Sequence, residues 1–491
     1  MSGFSNFAVS FTIISILSGC LTLYGFGMNT GGPVSMNIGW PLVGIMVTLV
    51  GLAMAEVCSS FPTAGGLYYW SAKLADKNGP AWSWFTGWFN LLGQIAVTAG
   101  IDFGLAFFST ALLNLLFGYP NTPPYIILIY AIVLFLHGLL NTFGVRLVAL
   151  LNDISVWWHL VGVVLVVGAL LIIPSHHQSP SFIFTHFVNN TGFDFPLAPV
   201  YVFLLGLLLA QYTFTGYDAS AHMTEETQNA AIAGPRGIVM SIVVSLVAGW
   251  VLLIGVTAAI GDYAKEASAV VPPAAIFVDA VGHNLGAVLL FIVVGAQFYC
   301  GMSSVTANSR MIYAFSRDGA LPGSQFWHRI NKRTRTPTNS IWLAAVGAFI
   351  LGLPYLWSPV AYAAVTSIAV IGLYIAYGIP ILLRLRKGDR FERGPWHLGR
   401  WSRLVGTIAV VWIAFIAILF VLPQVYPITL TTFNYSIVAV GVVLVGTGIW
   451  WMASARHWFK GPKIQGSAEE LAAIEADLEA GGEAVPATAG T

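Results

Sequence analysis

A-Q-Y-T-F-T-G-Y-D-A-S-A-H-M-T-E-E-T, residues 210–227, is the stretch that decides the fold. The apolar run that leads into it, Tyr201 to Ala210, is too short to cross a bilayer, which takes about 20 mostly apolar residues of helix. The chain then turns polar around Gly216 and continues as an amphipathic half with Asp218 and Ser220. Unwound backbone exposes N–H and C=O groups that hydrocarbon cannot satisfy, so it is tolerated where it lines a cavity, and there it binds ions and substrates. A second interruption is read in S-I-L-S-G-C-L-T-L-Y-G-F-G, residues 15–27, with Ser18-Gly19 near the middle of the first span and Gly25 and Gly27 beyond.

Working outward, twelve apolar runs have the length of transmembrane helices. They lie near 7–29, 39–60, 82–116, 124–142, 151–173, 198–221, 237–260, 284–312, 339–356, 359–382, 404–424 and 432–454. The two interruptions fall in runs one and six, corresponding members of a five-plus-five repeat. Paired interruptions of this kind mark an inverted-repeat transporter with its substrate near the midplane. The expected fold is therefore an all-α polytopic membrane protein of 12 transmembrane helices, with broken helices 1 and 6. Repeat one covers about 7–173, repeat two about 198–382, and peripheral helices about 404–454. The first run is not a secretory signal, because it lacks a basic leading region and a small-residue cleavage site.

Composition agrees. Of 491 residues, 57% are hydrophobic and 8% charged, against about 25% charged in a soluble domain. So few charges exclude a conventional soluble enzyme. A net charge of +1 argues against nucleic acid as a partner. The runs are too long, and lack the period-two alternation, for a β-barrel. With the N-terminus inside, every Lys and Arg except Lys265 falls on the cytoplasmic side of the twelve spans. A missed helix would invert every later loop and destroy that bias. The chain is thus expected in the cell membrane with both termini cytoplasmic and the lipid bilayer as its solvent. Residues 461–491 read as a cytoplasmic acidic tail with a capping box at 467–470.

Several reaction classes lack their motifs. There is no H-E-x-x-H, no G-x-S-x-G and no G-x-x-x-x-G-K-[ST], so neither a membrane enzyme nor an ATP-driven pump is indicated. Cys20, Cys58 and Cys300 sit in apolar runs with no ligand spacing, so no metal and no cofactor is expected. Ionisable residues inside hydrocarbon are costly and call for a function. Those in or at the spans are Glu56, Asp102, His137, Asp153, His159, Asp218 and His222.

Four stretches carry a family resemblance. They are G-L-A-M-A-E-V-C-S-S-F-P-T-A-G-G-L-Y-Y-W (51–70), G-W-F-N-L-L-G-Q-I-A-V-T-A-G-I-D-F-G (87–104), T-F-T-G-Y-D-A-S-A-H-M-T-E-E-T (213–227) and N-S-R-M-I-Y-A-F-S-R-D-G-A-L-P (308–322). Over roughly residues 1–460 the chain resembles the amino acid–polyamine–organocation (APC) superfamily, and within it the amino acid/choline transporter group with its GABA permeases. The resemblance implies the LeuT-like fold and secondary active transport of an amino acid or related amine, GABA-like or other. Alternating access moves a bundle of spans 1, 2, 6 and 7 against a scaffold of spans 3, 4, 5, 8, 9 and 10. An amino acid exchanger and a choline or polyamine permease are the alternatives.

The resemblance also assigns residues. The substrate carboxylate is expected at backbone N–H groups of Ser18, Gly19 and Cys20, and the ammonium at carbonyls from Tyr212 to Gly216, with Phe214 and Tyr217 as aromatic contacts. Asp218 coordinates substrate or stabilises the break, or else caps the second half-helix. Asp102 is either a counter-charge for a cationic headgroup or the partner of a buried hydroxyl or amide. In N-D-I-S-V-W-W-H (152–159), His159 stands where proton-coupled relatives carry a Lys. That departure makes it either the site of the coupling proton or a neutral, hydrogen-bonded histidine. Glu56, with the P-T-A-G-G turn at 62–66, is expected at a cytoplasmic hinge, and Arg317 with Asp318 at the inner gate.

Overall fold

The structure, a computed structural model, describes residues 1–63 and 65–462. The acidic tail and its capping box lie outside the described residues from 463 onward. Among the described residues regular structure is helical throughout, apart from one isolated antiparallel bridge between Thr30 and Asn189. Eleven helices among them are long and apolar enough to cross a membrane. Span 1 runs Gly3–Ile14 and Ile16–Thr22, with a short continuation Tyr24–Asn29. Span 2 is Gly39–Ser60, span 3 Gly79–Phe117, span 4 Pro123–Phe143 and span 5 Val145–Ile172. Span 7 is Ala230–Ala258, span 8 His283–Arg317, span 9 Thr338–Gly352 and span 10 Ala361–Lys387. Spans 11 and 12 are Ser402–Leu419 and Ser436–Trp450. The sixth segment is divided into Ala198–Gly206, Leu208–Thr213, Ala219–His222 and a 3-10 turn Thr224–Glu226. Span 8 continues five residues past its expected end. Arg317 therefore sits on a helical turn, and the Asp318 that caps it follows directly.

The helices sort by packing. Span 3 lies along spans 8 and 10, and span 7 along spans 1 and 2. Spans 3 and 10 meet backbone to backbone. A Cβ on Gly372 would stand 2.8 Å from the Gly93 nitrogen, and one on Gly93 would stand 2.6 Å from the Leu373 nitrogen. Small residues at such crossings allow the close approach that packs helices in a membrane. The outer surface is apolar: Val161, Val164, Leu165, Val411, Ile418 and Val442 are all exposed. A contiguous apolar exterior of this kind suits hydrocarbon, not water.

The two ends of the bundle differ. On the face that carries most of the Lys and Arg, called here the basic face, a cavity of about 430 Å³ opens between the first and sixth segments and spans 4, 5 and 8. Its walls include Val9, Met223, Asn141, Asn152, Thr306 and Arg310. On the opposite face, the helices Tyr263–Ala267 and Pro272–Val281 cover the outer end of span 1. Tyr263 donates its hydroxyl to Met28 O at 2.6 Å, and Asn29 Nδ2 donates to Ala267 O at 3.2 Å. Pro272 fills the space beside Gly25. Within this lid Glu266 is buried, with one carboxylate oxygen accepting from Gly261 N at 3.2 Å.

Two predictions follow from this packing. Gly372→Ala should destabilise the detergent-solubilised protein by about 1–3 kcal/mol, the usual cost of overpacking, seen as a lower Tm. Gly446→Ala, where a Cβ meets nothing, should leave Tm unchanged. For the lid, burial pushes the Glu266 carboxyl up from 4.5 to about 6. A raised carboxyl favours the folded lid when protonated, so its contribution is full below about pH 4.5 and is lost as pH rises through about 6. Hydrogen-exchange protection factors over 261–267 should fall across that window, and Glu266→Gln should remove the dependence.

Candidate functional site

The first interruption is centred on Ser15, three residues before the expected Ser18-Gly19. Ser15 has φ 37° and ψ 83°, in the left-handed region, which non-glycine residues enter at a cost of about 1–3 kcal/mol. Its N–H still donates to Phe11 O at 3.1 Å. Its carbonyl accepts from Ser18 N at 2.8 Å and Gly19 N at 2.9 Å. Ser18, Gly19 and Cys20 are thus inside the helix Ile16–Thr22, and the amides of Ser18 and Gly19 already have a partner. The first N–H groups after a break have no partner within the helix they open, and here those belong to Ile16 and Leu17. Gly19 serves a different purpose: a Cβ there would lie 2.6 Å from the Thr213 side chain. Cys300 of span 8 donates its thiol to Ile13 O at 3.1 Å.

The second interruption falls where the sequence places it. Gly216 has φ 85°, a conformation glycine takes without a Cβ penalty. A Cβ there would also meet Ile13 Cγ2 at 2.2 Å. Ile13 against Gly216 and Gly19 against Thr213 bring the two interruptions face to face. The unwound carbonyls are shared out among buried hydroxyls. Tyr374 donates to Phe214 O at 2.6 Å, Thr215 Oγ1 to Tyr212 O at 2.7 Å and Ser10 Oγ to Tyr217 O at 2.9 Å. Ser10 Oγ in turn accepts from Ser220 N at 2.8 Å. Phe214 packs on Trp40 with ring centroids 4.4 Å apart, and Tyr217 packs on Tyr377 at 5.1 Å. Tyr212, Phe214, Tyr217 and Ser18 are all buried. The interruptions therefore form an enclosed aromatic and carbonyl-lined junction.

Asp218 does not cap the half-helix Ala219–His222 with its side chain. It reaches sideways across the junction. Oδ1 accepts from the Tyr377 hydroxyl of span 10 at 2.7 Å, and Oδ2 from Gln94 Nε2 of span 3 at 2.9 Å. His222 Nε2 lies 3.3 Å from the same Oδ2. Gln94 and Tyr377, which sequence reasoning did not single out, join Tyr374 in tying the sixth segment to spans 3 and 10. Gln94 lies inside the quoted third-span motif, but its partner 124 positions away is not legible there.

His159 faces the first interruption. Its Nδ1 lies 2.7 Å from Ser155 O, and its Nε2 lies 2.6 Å from Ser15 Oγ. The first contact requires Nδ1–H, so in the neutral ring Nε2 accepts from the Ser15 hydroxyl. The left-handed residue and the histidine are thus directly bonded. Asp102 is fully buried, with Oδ1 3.0 Å from His137 Nδ1.

On the basic face, Glu56 is buried in a ring of donors. Oε2 accepts from Arg384 Nε at 3.0 Å and from the Ser402 hydroxyl, and Oε1 from Leu398 N at 3.3 Å. Arg384 also stacks over Phe391, with its guanidinium carbon 4.3 Å from the ring centroid. Span 2 is thereby fixed to the ends of spans 10 and 11. Asp318 lies 3.7 Å from the Arg317 guanidinium and accepts from the Tyr68 hydroxyl at 2.7 Å. Tyr68 belongs to the helix Gly66–Leu74 that follows span 2. At the mouth of the cavity, Arg310 pairs with Glu226 at 2.9 Å.

Two interrupted helices packed junction to junction, inside helices whose outer faces are apolar, define a polytopic membrane transporter. The chain belongs to the amino acid permease family, whose model matches residues 1–444, and amino acid transport is the function this membership supports. It is 45% identical over 483 residues to amino-acid permease BAT1 of Arabidopsis thaliana, covering 94% of this chain and 93% of that one. A rice homolog of BAT1 is 45% identical, with 94% and 92% covered. An uncharacterized amino-acid permease of Schizosaccharomyces pombe is 32% identical, with 94% and 86% covered.

Removing one partner of a buried ion pair costs about 3–5 kcal/mol, because the other charge is stranded. Glu56→Gln should therefore lower the Tm of the solubilised protein strongly. The double variant Glu56→Gln, Arg384→Met should recover part of the loss, as read by the same thermal scan.

Proposed function

We propose that this permease is a proton-coupled secondary carrier that moves an amino acid or related amine across the cell membrane by alternating access. The observation that carries the reading is the apposition of the two interruptions, Ile13 on Gly216 and Gly19 on Thr213, within a buried junction. The interrupted segments count as spans 1 and 6 of twelve, and spans 1–5 and 6–10 form the two inverted repeats. The bias of Lys and Arg supports a cytoplasmic basic face and cytoplasmic termini. The cavity on that face and the lid on the other then correspond to an inward-facing carrier.

The substrate sits at the junction. Its carboxylate takes the N–H groups that open the helix Ile16–Thr22, beside Ser18, Gly19 and Cys20, where the half-helix dipole favours an anion. Its ammonium takes carbonyl lone pairs between Tyr212 and Gly216, with Phe214 and Tyr217 as walls; a carbonyl has two lone pairs, so those already bonded once can accept again. Asp218 positions that segment through Gln94 and Tyr377. A proton on His159 turns Nε2 from acceptor into donor, so the Ser15 hydroxyl must rotate. Proton binding then acts directly on the residue that breaks span 1.

The test is uptake into proteoliposomes of labelled GABA, a neutral α-amino acid, putrescine and choline. Each is run with and without an inward proton gradient, at zero and high Na⁺. Accumulation of an amino acid driven by protons alone is expected. Uptake only into vesicles preloaded with amino acid would replace the reading with an obligate exchanger. Gly216→Ala should abolish uptake while the protein remains folded by size-exclusion profile, because the new Cβ would meet Ile13 at a positive φ. His159→Gln should reduce gradient-driven accumulation and spare part of the exchange.

A further inference from the structure

Away from the junction, the scaffold holds a buried titratable pair that the reading above does not use. Asp102 on span 3 and His137 on span 4 are both fully enclosed, 3.0 Å apart through Oδ1 and Nδ1. Each keeps a polar atom without a partner, Asp102 Oδ2 and His137 Nε2. An unpaired buried polar atom costs on the order of 1–3 kcal/mol. A pair that leaves two open is a poor structural fastening, and it suits a group that has to accept something. A third element is shaped around it. A Cβ on Gly301 of span 8 would lie 1.8 Å from Asp102 Oδ1 and 2.7 Å from His137 Cε1.

Neither Asp102 nor His137 lines the basic-face cavity, but their neighbours reach both that cavity and the first interruption. Asn141 and Thr306 line the cavity. Asn141, one turn along span 4 from His137, donates Nδ2 to His137 O at 3.0 Å, and Thr306 Oγ1 donates to Asn141 Oδ1 at 2.5 Å. On the other side Cys300, next to Gly301, bonds Ile13 O at the interruption. The other titratable groups facing the pair are Tyr130 on span 4, Tyr212 on the sixth segment and Cys300 on span 8; Tyr362 of span 10 lies behind them, with its hydroxyl on Gly100 O. Span 9 carries none. None of these groups is cationic, so a protonated His137 is the counter-charge available to the Asp102 carboxylate among them.

We infer that the Asp102–His137 pair is a second proton-binding site of the carrier, loaded and emptied through the basic-face cavity. With His137 neutral, Nδ1–H donates to the carboxylate and the pair carries one negative charge. A proton taken from cavity water onto Nε2 gives an imidazolium–carboxylate pair of zero net charge, and it returns to water by the same atom. No other bond is made or broken. The inference rests on the proton-coupled reading but not on His159.

The experiment measures proteoliposome accumulation of the transported amino acid against ΔpH, with the voltage clamped, for the wild type, His137→Gln and His159→Gln. Each coupled proton adds about one tenfold step of accumulation per pH unit. His137→Gln is expected to lower the slope by about one while exchange between preloaded vesicles continues. An unchanged slope overturns the inference and leaves proton coupling standing. Equal loss of slope and exchange also overturns it, because that marks a structural role. A wild-type slope of zero removes proton coupling and the inference together. Because His137→Gln could fold poorly, ¹⁵N NMR of the full chain gives a second readout. The His137 ring should titrate, and its titration should move in Asp102→Asn. A ring that stays neutral at every pH overturns the inference.

Discussion

Peptide groups that leave a helix inside a membrane must be satisfied by protein, since hydrocarbon offers nothing and each group left open costs several kcal/mol. Much of the interior is arranged around that constraint. Ser10, Thr215, Tyr374 and Cys300 supply donors to the carbonyls of the two interruptions. Glycine stands where the interrupted segments must touch, at Gly19 and Gly216. The donors come from spans 1, 6, 8 and 10, so neither interruption is stable apart from the assembled bundle. The bonds that make the fold tolerable also hold the carbonyls of both interruptions in place.

Much of the architecture was legible because it follows from composition. Long apolar runs and one-sided basic residues are direct consequences of the bilayer, and they located the spans, though polar first and last turns such as 230–236 of span 7 and 383–387 of span 10 were left out. The sixth interruption was legible for a related reason: Tyr201 to Ala210 could not span, and Gly216 was the place where a positive φ is cheap. The first interruption was read three residues late. Ser18-Gly19 looked flexible, yet Gly19 is there for contact with Thr213 and not for unwinding. Ser15 bends instead, against its own preference, with its hydroxyl on His159. Pairings were the least legible part. Asp218 read equally well as a cap, and the Gln94 and Tyr377 that bind it are far away in sequence. His137 had no motif of its own, and the contact with Asp102 depends on how spans 3 and 4 pack.

The charges are divided by depth. Deep in the spans, the carboxylates Asp102 and Asp218 are accompanied by histidines, His137 and His222. Arginine partners appear toward the basic face, at Glu56, Glu226 and Asp318. A guanidinium carries its charge permanently, whereas an imidazole carries one only when protonated. An imidazole partner therefore forms an ion pair only with a proton bound, whereas the arginine partners need none.

The fastening at Glu56 has a mechanical consequence. Its partners Arg384, Ser402 and Leu398 come from spans 10 and 11 and the segment between them, and the cluster is buried. Pulling it apart would cost several kcal/mol. The Arg310–Glu226 pair at the cavity mouth is partly exposed, and parting two charges near water costs about 1 kcal/mol. Any rocking of spans 1, 2, 6 and 7 is therefore asymmetric. Separation is resisted strongly at span 2 and weakly where the sixth segment meets span 8. The lever arm between these two ion pairs, one costly to part and one cheap, sets the direction in which the molecule is soft.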